Sequence, residues 1–163
     1  LFYNDFLAEG ISAKSNAIYE RIKRWKEEGV PIHGIGFQSH LHFGFPDREE
    51  LIKNLKRFSE LGLKIHITEL DLPLAFSSSG GKRLRQAILY RRVVEACLMT
   101  PGCELIQTWG ADDSHSWTRK RPYYYDPLLF DGNLNRKPLY DVLVDAVLTF
   151  SRDQGASDNG RGS

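Results

Sequence analysis

Apolar and polar positions along this chain switch between a strand-like and a helix-like period, and the switching repeats about four times. Residues 1–6 are short and aromatic and suit a strand. From Ser15 to Glu28, Ile18, Ile22 and Trp25 recur at spacings of four and three, which predicts a helix with one apolar face. Gly29 supplies its stop and Pro31 prevents its resumption. A β-rich run follows from Ile32 to Leu41. Asp47, with Glu50 three residues on, predicts the N-cap of a second helix. Its apolar face is Leu51, Leu55, Phe58 and Leu61, and Gly62 ends it. Leu63 to Leu70 reads as a buried strand, residues 76–83 as a Ser/Gly loop, and Arg85 to Met99 as a third helix stopped by Pro101-Gly102. Glu104 to Trp109 reads as a fourth strand. A polar and aromatic connection over 110–136 then leads to a last helix with Pro138 in its first turn, running to about Phe150. Residues 151–163 hold no large apolar side chain and are expected to form a flexible tail beyond a domain of residues 1–150.

Four βα units in succession predict an α/β fold of parallel strands joined by right-handed helical crossovers. A (β/α)₈ TIM barrel needs about 250 residues, so a chain of 163 residues accommodates half of one. The alternative is an open doubly wound sheet. Polar residues at the strand ends favour the half barrel. Asn4 and Asp5 end the first strand, Gln38 and His40 the second, and Glu69 and Asp71 the third. Trp109 ends the fourth, with Asp112 and Asp113 just beyond. In a barrel, reacting side chains gather at these C-terminal strand ends. The open-sheet alternative would bind a nucleotide through a glycine-rich loop, but Gly34-x-Gly36 lacks the third glycine and lies within a strand.

Charge and composition narrow the chemistry. The chain carries 22 Lys and Arg against 21 Asp and Glu, which argues against a nucleic acid or anionic membrane held by bulk charge. No apolar run approaches the roughly 18–20 residues of a membrane span. The N-terminus shows no basic segment followed by an apolar core, so no signal peptide is expected in this chain. Its start with Leu1 in mid-pattern suggests a piece of something longer. Aromatic residues make up 12%, which directs attention to sugar rings, whose C–H faces stack on aromatic plates.

Glu69 is the first candidate for chemistry. Strand alternation groups it with Ile65, Ile67 and Asp71, with His66, Thr68 and Leu70 facing the other way. A carboxylate among apolar neighbours is either structurally paired or poised to react. His40, sharing parity with Gln38 on the adjacent strand, is placed to hydrogen-bond Glu69 and keep it ionised and oriented. His40 and His42 also have the alternate spacing of two metal ligands, with Asp112 or Asp113 as a third, which is the rival, metal-dependent hydrolase reading. Trp109 and Trp117 flank a loop rich in Asp, Ser and His and suit the walls of a sugar site. Cys97 and Cys103 flank a helix end and are compatible with a local bridge or with two buried thiols.

The runs LFYNDF, GIGFQSHL, HITELD, QTWGADDSHSW and PLLFDGNLNRKP closely resemble glycoside hydrolase family 10, the endo-β-1,4-xylanases, in order and spacing, over residues 1 to about 148. The resemblance implies a (β/α)₈ barrel that cleaves β-1,4-xylan with retention, without a cofactor. It implies that Glu69 is the nucleophile, that His40 orients it, and that Gln38, Trp109, Trp117 and Asn4 contact substrate. Phe6-Leu7 stand where the family often has Tyr-Asn, so one polar contact near the site is missing. The family's acid/base glutamate belongs to an Asn-Glu pair, and no such pair occurs in this sequence. The chain therefore looks like the C-terminal half of a catalytic barrel, inactive or weakly active alone; the alternative is a catalytically silent half barrel that binds sugar or serves assembly. A secreted, extracellular enzyme is implied, and a Cys97–Cys103 bridge would fit that habit. A half barrel is expected to expose two sheet edges and an apolar interior, and so to pair with a second half. That half is a second chain, whose Asp112 or Asp113 would stand nearest the missing acid/base position.

Overall fold

The computed structural model describes residues 1–40, 45–75 and 79–159, with side chains to Asp153. Strand β1 (Phe2–Asp5) leads to helix α1 (Ala13–Glu27), strand β2 (Gly34–Phe37), helix α2 (Arg48–Ser59) and strand β3 (Lys64–Leu70). A short strand β4 (Leu74–Ala75), helix α3 (Gly80–Leu98), strand β5 (Cys103–Thr108), a short strand β6 (Tyr124–Tyr125) and helix α4 (Pro138–Asn159) follow. The main sheet has the order β1-β2-β3-β5, parallel throughout. Four consecutive parallel βα units are half of an eight-unit barrel.

Local chemistry sets most of the boundaries. The Asp47 carboxylate accepts the Glu50 N–H at 2.8 Å, as the Asp-x-x-Glu spacing predicts. Helix α1 starts two residues earlier than its apolar periodicity, because Ser12 accepts the Ser15 N–H at 3.1 Å and caps it there. Helix α3 starts at Gly80 rather than Arg85. The N–H groups of Lys82 and Arg83 both reach the Ser79 carbonyl, so residues 80–83 belong to the helix and not to a loop. Helix α4 runs to Asn159, nine residues beyond the expected end near Phe150. A lack of large apolar residues removes a reason to pack, but no proline interrupts 151–159, and so nothing breaks the backbone ladder.

One face of the sheet carries the core. Ile35, Phe37, Ile65 and Ile67 meet Ile22 of α1, Leu51, Leu55 and Phe58 of α2, and Tyr90 and Val93 of α3 in a single cluster. Among the described residues the opposite face bears no helix, and it mixes polar groups with the exposed Phe2 and Leu105. Asn4, Lys64 and Glu104 are exposed there, and His66 and Thr68 half-buried. These groups pair across strands: Lys64 Nζ donates to Glu104 at 2.9 Å and His66 lies 3.2 Å from the same carboxylate. Phe2 stacks on the His66 ring at 4.3 Å between centroids. Glycine at 34 and 36 makes this possible, since a Cβ on Gly34 would overlap the Phe2 ring and one on Gly36 would overlap Asn4 and approach Thr68 within 2.8 Å. The two glycines are therefore a packing requirement, not a phosphate loop.

Cys97 and Cys103 form a disulfide that ties the end of α3 to the start of β5, which decides the choice left open by the sequence. The long connection after β5 is folded rather than loose. Lys137 Nζ donates to Asp113 at 2.7 Å and to the carbonyls of Asp126 and Leu128, and β6 pairs antiparallel with β4. No helix among the described residues is long and apolar enough to cross a membrane.

Candidate active site

The C-terminal ends of β1, β2 and β3 bring together three predicted residues. Asn4 Nδ2 donates to Glu69 Oε1 at 3.0 Å, and His40 Nε2 lies 3.1 Å from Glu69 Oε2. Asn4 is oriented in turn by the Thr68 hydroxyl, which donates to its Oδ1 at 2.8 Å. Thr68 and Glu69 are consecutive, yet both reach the Asn4 side chain. Strict alternation forbids this and would send Glu69 to the helix side with Ile65 and Ile67. The β3–β5 register shifts between Ile67 and Leu70, and this irregularity turns Glu69 onto the site side while Leu70 returns to the core. The parity grouping read from sequence is thus corrected by a bulge.

His40 is clamped at both ring nitrogens. Nδ1 lies 3.0 Å from Asp71 Oδ1, on a carboxylate that is 0% exposed. The other Asp71 oxygen accepts the Trp117 indole N–H at 2.6 Å. Ionised carboxylates only accept, so the protonated imidazolium, with an N–H on each nitrogen, satisfies both partners at once. Burial pulls the His40 pKa down, but Asp71 and Glu69 outweigh it and hold it above its ordinary value. With both nitrogens engaged, His40 has no free lone pair for a metal. His42, the other half of the metal reading, lies outside the described residues.

Both carboxylates proposed as a third metal ligand already have protein partners. Asp112 caps the turn after it, and hydrogen bonds from Ser114 and then His115 hold its pKa at about 2. Asp113 is tied to Lys137 and to the Leu128 N–H. Burial nonetheless keeps its pKa above the ordinary value.

Aromatic side chains wall the site. Trp117 meets the His40 ring edge-on at 5.4 Å and Trp109 at 6.3 Å. Trp109 is 45% exposed, a plate open to a ligand. Arg121 stacks over Trp117 at 4.5 Å. Gln38 is half-buried at the end of β2, its backbone N–H on the Asp5 carbonyl at 3.0 Å. Asp5 itself is fully used, by Lys14 and the Phe6 N–H on one oxygen and the Tyr3 hydroxyl on the other. Burial would raise its pKa, and the donors from Lys14 and Tyr3 lower it overall. Phe6, in place of a tyrosine, is half exposed and carries Lys14 over its ring at 4.0 Å. The sequence reading missed Thr68 and the bulge. It named Asp71 only as a strand-end residue, and its role as the support of both His40 and Trp117 emerges from the fold.

Comparison with known proteins gives the family of the chain. The model of glycosyl hydrolase family 10 matches residues 1–146. Endo-1,4-beta-xylanase B of Thermotoga neapolitana is 46% identical over 152 residues, 90% of this chain and 43% of that protein. Xylanase 10B from Thermotoga petrophila RKU-1, solved in complex with xylobiose, superposes with a TM-score of 0.86 at 40% identity, over 91% of this chain and 46% of that one. A xylanase from Bispora sp. MEY-1, also solved with xylobiose, gives a TM-score of 0.85 at 30% identity, over 90% and 46%. The chain spans less than half the length of each of these relatives.

Proposed function

The chain belongs to glycosyl hydrolase family 10, and from that premise we propose that residues 1–150 form the C-terminal half of an endo-β-1,4-xylanase barrel with Glu69 as its nucleophile. The observation that carries this reading is the Glu69 carboxylate itself, held by Asn4 on one oxygen and by the Asp71-backed His40 on the other, beside two tryptophans.

The reaction follows from that placement. A Glu69 oxygen attacks the anomeric carbon, the bond to the leaving sugar oxygen breaks, and a glycosyl-enzyme forms with inversion. A second carboxyl gives its proton to the leaving oxygen and then takes one from water, and the second inversion restores the starting configuration. His40 fixes the attacking oxygen. Asn4 holds the other, and with Gln38, Trp109 and Trp117 it forms the substrate-contacting wall. Xylan or a xylo-oligosaccharide is the substrate that the xylobiose-bound relatives support.

The acid/base carboxyl belongs to a complementing half. The sequence contains no Asn-Glu pair, and the carboxylates nearest by fold are spent: Asp71 on His40 and Trp117, Asp5 on Lys14 and Tyr3. The isolated chain is therefore inactive or weakly active on xylan. The edges β1 and β5 are where a second half barrel would pair. The Cys97–Cys103 disulfide supports a secreted enzyme.

The test separates attack from protonation. A 2-deoxy-2-fluoro-xylobioside with a dinitrophenolate leaving group needs no acid, because the phenolate departs unprotonated. Incubation with this chain is expected to add one fluoroxylobiosyl group to the peptide containing Glu69, read by mass spectrometry, and none in Glu69→Gln. A label on another residue, or an equal label in the variant, overturns the assignment.

A further inference from the structure

Behind the site lies a buried carboxylate that the proposed reaction does not use. Glu9, in the segment between β1 and α1, is 6% exposed. Its Oε1 accepts the backbone N–H of Ser39 at 2.8 Å. Ser39 is also buried and has a φ of +61°, in the left-handed region where a residue with a Cβ is strained. This corner stands between Gln38 and His40, at the end of β2. It immediately precedes His40, whose imidazole lies between Glu69 and Asp71. The Asp71 N–H reaches back to the Ser39 carbonyl, so the corner is gripped from both sides.

Glu9 is itself held from below. Asn54, buried on α2, donates through Nδ2 to the carbonyls of both Ala8 and Glu9 at 2.8 Å. Its Oδ1 accepts Arg57 Nε at 2.9 Å and the Ser15 hydroxyl at 2.8 Å. The path from the helical layer to the site is therefore continuous: Asn54 fixes the Ala8–Glu9 backbone, Glu9 fixes Ser39, and Ser39 presents His40.

We propose that Glu9 is a positioning residue, which holds the left-handed corner at Ser39 and thereby sets His40 against Glu69. The proposal rests on the reading of His40 as the partner of Glu69. Burial raises the Glu9 pKa, opposed by the N–H groups of Glu9, Ser39 and Ala8 and by His40. Three carboxyl groups thus surround His40: Glu69 and Asp71 on the ring, and Glu9 across the Ser39 corner.

The experiment is an NMR comparison of this chain with Glu9→Ala, Glu9→Gln and the double variant Glu9→Ala/Ser39→Gly. Glu9→Ala is expected to move the Ser39 and His40 amide resonances and to bring the His40 titration midpoint down toward the free-imidazole value of about 6.5. Glu9→Gln keeps an oxygen acceptor and is expected to keep the corner. Glycine adopts a φ of +61° without help, so Ser39→Gly in the Glu9→Ala background is expected to restore the fold and the His40 signals. Unchanged His40 signals in Glu9→Ala overturn the proposal. So does a double variant that fails to fold or fails to restore them, because the corner is then not what Glu9 supplies. None of these signals depends on turnover. A failed fluoroglycoside labelling with these responses intact would reject the nucleophile and leave the positioning role standing.

Discussion

The two faces of the main sheet are built from the same strands and follow opposite rules. On the helix side, Ile35, Phe37, Ile65 and Ile67 are sealed against α1, α2 and α3. On the open side, Asn4, Lys64, His66, Thr68 and Glu104 pair with one another across strands, with Phe2 laid on His66. The helix side of the sheet is covered by helices of this chain. The open side is finished only in pairs, and the Glu69 site sits at its upper rim. Stability and chemistry are thereby separated by the pleat: adjacent residues on β3, such as Ile67 and Thr68, belong to different tasks.

This contrast can be broken experimentally, and the largest effects belong to the sealed face. Phe58, fully buried, is expected to cost about 3–5 kcal/mol as Phe58→Ala. Phe2→Ala on the open face is expected to cost only about 1 kcal/mol, the loss of one ring stack. Urea denaturation of the two variants side by side measures this, and equal costs would mean that the open face is as much a core as the other.

Asn54 comes next, because it ties α2 to the segment beneath the site. Asn54→Ala strands the carbonyls of Ala8 and Glu9, and about 3 kcal/mol of stability is expected to go. Asn54→Asp, which keeps the acceptor and loses the donor, should recover only part of it.

The Cys97–Cys103 disulfide closes a loop with a sequence separation of 6. Its reduction is expected to lower stability by about 2 kcal/mol by the chain-entropy estimate for so short a loop. The thermal midpoint with and without reductant checks this. An unchanged midpoint would mean that the core holds the α3–β5 junction unaided.

The smallest effect is a slope. His40 has a folded-state pKa above its ordinary value, so the folded protein binds the extra proton. Its contribution to stability is fully present below about pH 6.5 and is lost as pH rises through the raised folded value. The unfolding free energy should therefore fall with pH over that window. His40→Gln should flatten the fall, as read from denaturation midpoints at several pH values. A fall of the same steepness in the variant would assign it to other groups.

Much of the fold is legible along the chain because its causes are local. Asp47 caps α2 through a side chain three residues from its target, and Pro138 opens α4 because the first turn does not use its missing N–H. The apolar spacing of Leu51, Leu55 and Phe58 marks the buried stripe of α2 before any partner is known. The order of strand-end residues places Asn4, His40, Glu69 and Trp109 at one rim, because parallel strands all end on the same side.

What the tertiary structure alone decides lies between elements. Alternation predicts the wrong face for Glu69, since a register shift depends on the neighbouring strand β5 and not on residues 65–70. Gly34 and Gly36 look like a weak loop signal until Phe2 and Asn4 are seen to occupy the space a Cβ would need. Asp71 and Glu9 are ordinary acids in the sequence. Burial and partners far along the chain make them supports of His40 and of Ser39. The sequence carries capping, periodicity and motif order, which act over a few residues. Facing, fit and desolvation are set by atoms that only the folded chain brings within reach.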